Sequence, residues 1–63
     1  MRLTPDQIEE LRGKSPEGVY QHIRQYVRQE IGTVDRHELE EALRDAIDAG
    51  FLDERDLRSI EEE

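Results

Sequence analysis

At 63 residues the chain has room for one hydrophobic core and no second domain, and its lack of cysteine excludes disulfide staples, thiolate nucleophiles and cysteine-ligated zinc. Charged residues make up 41% and hydrophobic ones 33%, with a formal net charge of −8, so folding depends on how well the few apolar residues are patterned. An acidic chain of this kind repels nucleic acid and anionic membrane surfaces.

Four helix starts can be read in chain order from side chains able to accept hydrogen bonds from free first-turn N–H groups. In Leu3-Thr4-Pro5-Asp6-Gln7-Ile8, Thr4 is the cap, Pro5 takes the first helical position, Gln7 closes a capping box and Leu3 can staple onto Ile8. This predicts a helix over about 4–12, stopped by Gly13. Lys14-Ser15-Pro16-Glu17-Gly18-Val19 repeats the cap-then-proline logic with Ser15, although Gly18 weakens that first turn. The helix it starts is expected over about 15–31, ending at Gly32.

The third and fourth starts form a short internal repeat, with Gly32 to Leu39 matched by Gly50 to Leu57. In each, glycine ends one helix, an apolar residue (Val34, Leu52) precedes an aspartate cap (Asp35, Asp53), and an acid stands three residues beyond that cap. The predicted helices cover about 35–49 and 53–62, and fraying is expected over Glu61-Glu62-Glu63, which sit at the negative end of a helix dipole. One repeat of so short a unit makes two similar corners, not a solenoid.

Apolar spacing agrees with the caps. Val19, Tyr20, Ile23, Tyr26, Val27 and Ile31 fall on one stripe of the second helix, and Leu39, Ala42, Leu43, Ala46 and Ile47 on one stripe of the third. Leu3, Ile8 and Leu11 come from the first helix region, and Phe51, Leu52, Leu57 and Ile60 let the fourth cover the remaining side. The expectation is an all-α bundle of three to four short helices forming a single domain over 1–63. With so thin a core it is either a marginal monomer or a homodimer.

No apolar run reaches the ~18–20 residues of a membrane span. The opening Met1-Arg2-Leu3-Thr4-Pro5-Asp6 lacks the apolar stretch of a signal peptide, so a cytoplasmic chain with nothing removed is expected. Charge is segregated. Residues 1–33 hold five basic against five acidic side chains, whereas residues 34–63 hold four against twelve, and the whole excess of −8 falls there.

Chemistry-bearing motifs are few. Gly32 to Leu39 has the glycine and closing glutamate of the second half of an EF-hand loop, but the first half falls on Val27, Gln29 and Ile31, which lack calcium's oxygen ligands. The Gly50 copy fails likewise at Ile47 and Ala49. His37 and Glu41 have the i,i+4 spacing of a metal pair, yet a structural site needs about four ligands and nothing else is committed, so no metal or other cofactor is expected. Ser15 is used as a cap, no histidine is placed beside either serine, and no carboxylate pair stands out as acid and base. The sequence therefore points away from an enzyme.

Three readings of function remain. The first is a protein-interaction module, whether adaptor, inhibitor or nucleic-acid mimic, in which Glu38, Glu41, Asp45 and Asp48 on one face of the third helix meet a basic surface on a protein partner. A second is an idealised or engineered helical scaffold with no evolved ligand, since four well-formed caps in 63 residues match the local consistency that design imposes. The third is a helix-turn-helix-like nucleic-acid binder. There the outer face of the second helix, with Gln21, His22, Arg24, Gln25, Arg28 and Gln29, would read bases or phosphates through Arg24 and Arg28. Val19 through Leu39 resembles the opening of a winged helix and Ala49-Gly50-Phe51-Leu52 the close of its recognition helix, but no recognition helix lies between them and the net charge opposes phosphate binding.

Overall fold

A computed structural model describes residues 1–61 and contains four helices, α1 (Pro5–Glu10), α2 (Pro16–Ile31), α3 (Arg36–Asp48) and α4 (Glu54–Glu61). Each begins where a side chain answers the first free N–H groups. At α1 the Thr4 hydroxyl accepts from the Gln7 N–H at 3.1 Å while the Gln7 side chain accepts from the Thr4 N–H at 3.0 Å, which completes the expected capping box. At α2 the Ser15 hydroxyl accepts from the Gly18 N–H at 3.1 Å. Asp35 Oδ1 accepts from the His37 N–H at 2.9 Å and the Glu38 N–H at 3.4 Å, and Asp53 repeats the pattern with the Arg55 N–H at 3.0 Å. The repeat read in the sequence, two eight-residue segments eighteen positions apart, is thus a repeated helix-entry geometry.

Gly18 has a reason beyond a weak turn. A Cβ there would lie 3.3 Å from Ser15 Oγ, the atom that caps the helix, so glycine keeps room for the cap. At the other end of α3, Gly50 takes φ +86°. Its N–H donates to the Ile47 carbonyl and the Phe51 N–H to the Ala46 carbonyl, both at 3.0 Å, the paired bonds of a Schellman ending.

The core is the meeting of the two predicted stripes. Val19, Ile23 and Val27 of α2 are fully buried, as are Ala42 and Ala46 of α3, with Leu43 at 1% exposure between them. Leu3, Leu11, Leu39 and Leu52 complete it. α3 and α4 both pack on α2. α4 itself buries no side chain fully, and its Leu57 rests half-buried against the core. The Cα radius of gyration, 10.5 Å, matches the roughly 10.6 Å expected of a packed chain this long.

Three expectations need correction. Ile31 is 42% exposed, although it continues the α2 stripe. With 16 residues α2 is about 24 Å long, against about 20 Å for the 13-residue α3, and its last turn has no neighbour to cover it. His22 does not stand on the outer face of α2. It is half-buried, its Nδ1 lies 3.0 Å from the Gly18 carbonyl oxygen, and its ring meets that of Tyr26 edge-on at 6.3 Å. The helix termini are also tighter than expected, since the cap residues stand outside the helices and α1 closes at Glu10. The expected extension of α4 to residue 62, and the fraying over residues 62 and 63, fall outside the described residues.

Candidate functional site: the acidic face of α3 and its groove

Helical spacing puts Glu38, Glu41, Asp45 and Asp48 along one side of α3, and the structure shows what meets them. Residues 1–3, ahead of the Thr4 cap, lie across this side. The Met1 ammonium donates to the Glu38 carboxylate and to its backbone carbonyl, and it sits 3.3 Å from Glu41 Oε1. Burial opposes the charge on this amine, but the hydrogen bonds to Glu38 and Glu41 outweigh it and hold its pKa above the usual value. Asp45 accepts twice on one oxygen, from the Leu3 N–H at 2.9 Å and from Arg2 Nε at 3.1 Å. Asp48 is exposed.

Sequence reasoning placed these four acids on one face without assigning them an internal neighbour. Nothing local signals one, because Arg2 and Asp45 are 43 residues apart. Glu38 shows the consequence most clearly. It stands three residues after the Asp35 cap, where a glutamate commonly reaches back to the cap's backbone, yet its carboxylate is turned to the Met1 amine instead.

Beside this face runs an open groove between α3 and α4. Glu41, Asp45 and Asp48 line it with the half-buried Ile47 and Leu57, and Arg2, His37, Glu40, Arg44 and Glu61 complete the walls. Three of the four acids singled out in the sequence therefore border one concave surface that also offers apolar area. Arg44 crosses to Glu54 at 3.4 Å, tying the start of α4 to α3. Among the described residues, no group of three or more His, Cys, Asp or Glu side chains converges as a metal ion requires, and no helix is long and apolar enough to cross a membrane.

The alternative face of α2 presents Gln21, Arg24, Gln25, Arg28 and Gln29 to solvent. Arg24 shares a second groove with Arg36 and with Glu17, Glu40 and Glu61, so two arginines and three carboxylates stand together there. Sequence reasoning also missed the bond that fixes α1 to α2, in which the Tyr26 hydroxyl donates to Glu10 Oε2 at 2.6 Å. Burial first, then this hydrogen bond and the Glu10 charge, push the Tyr26 pKa up to about 12.

Comparison with known protein families, with curated proteins and with solved structures finds no match for this chain.

Proposed function

We propose that the protein is a small binding module whose α3–α4 groove takes a basic, partly apolar segment of a protein partner, and that it acts by binding and not by catalysis. The observation that carries this reading is the lining of the groove, in which Glu41, Asp45 and Asp48 flank Ile47 and Leu57. Apolar area supplies most of the affinity available to such a surface, while carboxylates fix register and speed encounter with a cationic ligand. The charge distribution supports it, since the excess of −8 belongs to residues 34–63, which contain α3 and α4. Ile31 supports no competing surface. A lone exposed isoleucine falls far short of the few hundred Å² of contiguous apolar area that marks an interface.

The test is fluorescence anisotropy with a labelled, end-capped peptide carrying arginine and leucine on one helical face. The peptide is expected to bind, to bind less tightly as salt rises, and to lose affinity with Asp48→Asn but not with Glu30→Gln, an exposed acid of α2 outside the groove. No binding, or equal loss from both substitutions, refutes the groove as the site.

A further inference from the structure

Residues 1–3 lie outside every helix, so tertiary contacts alone fix them. Leu3 is 8% exposed and anchored in the core. Arg2 and the Leu3 N–H share one oxygen of Asp45, and the Met1 ammonium bridges Glu38 and Glu41. Arg2, Glu41 and Asp45 are also lining residues of the groove. The α3 carboxylates that border the groove thus already hold a short basic segment, Met1 and Arg2, which is the charge proposed above for the partner, while the leucine that follows is seated in the core.

We propose that residues 1–3 form a self-inhibitory strap, an internal competitor that must leave the α3 carboxylates before a basic partner can engage them. This rests on the reading of the groove as a site for basic segments. The attachments made by Arg2 and by Leu3 differ in strength. Arg2 is 78% exposed, so its ion pair is weak and screened by salt. Leu3 is the firmer hold, since its side chain loses buried area if the strap lifts. Asp45, at 13% exposure, is poorly placed to stand without a partner, and a carboxylate stripped of its donors in a half-buried site is destabilising. Exchange of one guanidinium for another avoids that vacancy, so an arginine-bearing ligand can displace Arg2 where a purely apolar one cannot. Partner affinity is then reduced in proportion to how seldom the strap is open.

The experiment titrates the same end-capped arginine–leucine peptide into the full-length chain while the Leu3 amide is followed by NMR, and repeats the titration with Arg2→Ala and Leu3→Ala. Binding should shift the Leu3 amide and speed its hydrogen exchange. Arg2→Ala should bind about threefold more tightly, as loss of one exposed ion pair predicts. Leu3→Ala should gain about tenfold or more, as loss of a buried leucine anchor predicts. Should Leu3→Ala fail to fold, Arg2→Ala and the amide shift decide the matter. If the peptide binds while the Leu3 amide is unmoved and Arg2→Ala is no tighter, or is weaker, the strap is overturned and the groove reading stands. If the peptide binds none of the chains, both are overturned.

Discussion

Replacing Leu43 by alanine tests the core at its centre. Leu43 is 1% exposed and packed among Val19, Ile23 and Val27, so the substitution removes three carbons from a fully enclosed site. At ~0.8 kcal/mol per methylene that forfeits about 2.4 kcal/mol of transfer free energy. The incompletely filled cavity adds to it, within the ~2–5 kcal/mol typical of such changes. A chain of 63 residues holds a total stability of only about 3–9 kcal/mol, so a large fraction is lost. The melting temperature should fall by more than about 10 °C, since each kcal/mol shifts a domain this small by about 4–8 °C. Ile31→Ala is the internal control. Ile31 belongs to the same helical periodicity but is 42% exposed, and its truncation should stay within about 0.5 kcal/mol. Urea unfolding followed by helical circular dichroism measures both, and equal shifts of the two midpoints would refute the placement of the core.

Asp35→Ala should cost about 1 kcal/mol by freeing the His37 and Glu38 N–H groups. Glu41→Ala, whose side chain is 44% exposed, should change stability by less than that while weakening peptide binding; equal destabilisation in urea at moderate salt would sink the capping assignment. Tyr26 should make stability fall at high pH, because the folded state favours the neutral phenol. Its contribution is whole below the ordinary value of 10.0 and is lost as pH rises from there through about 12. Tyr26→Phe should flatten that decline, and unfolding curves at a series of alkaline pH values that fall equally steeply for both chains would contradict it. Gly50→Ala should destabilise by about 1–2 kcal/mol through backbone strain alone. Its φ is +86° and a Cβ there meets nothing within 4 Å, so an unchanged melting temperature would show that α3 ends otherwise.

What the sequence made legible is what is local. Thr4, Ser15, Asp35 and Asp53 each act on an N–H two or three residues away, and such pairings need no knowledge of the fold. The stripes of α2 and α3 were legible because helical period alone decides which face is apolar. Period does not say where a neighbouring helix ends, and Ile31 was therefore assigned to the core although its turn is uncovered. Nor does it say which polar residues meet across the fold. The Tyr26–Glu10 bond spans 16 positions and the contact of Leu3 with Asp45 spans 42, so neither has a local pattern to betray it. The four acids of α3 were placed correctly on one side of a helix, while the segment lying across them could only be found in three dimensions.

That segment also resolves an imbalance visible in the charges. Residues 1–33 are neutral in sum and residues 34–63 carry −8, and of the six ion pairs among the described residues three stay within one half. Arg12 pairs with Glu9, Arg36 with Glu40 and Arg44 with Glu54, and none of these brings positive charge from the neutral half to the acidic one. The contacts of Met1 and Arg2 with Glu38, Glu41 and Asp45 do. They neutralise part of α3 where like charges at i,i+3 and i,i+4 spacing repel one another. At low salt that repulsion is greatest and the strap is worth most; at physiological ionic strength, with a screening length of about 8 Å, both are weaker. Salt thus loosens the internal ligand and weakens an external basic one together. A groove governed by such competition shows a shallower dependence of affinity on salt than its carboxylates alone would impose, and removing the strap's cation steepens it.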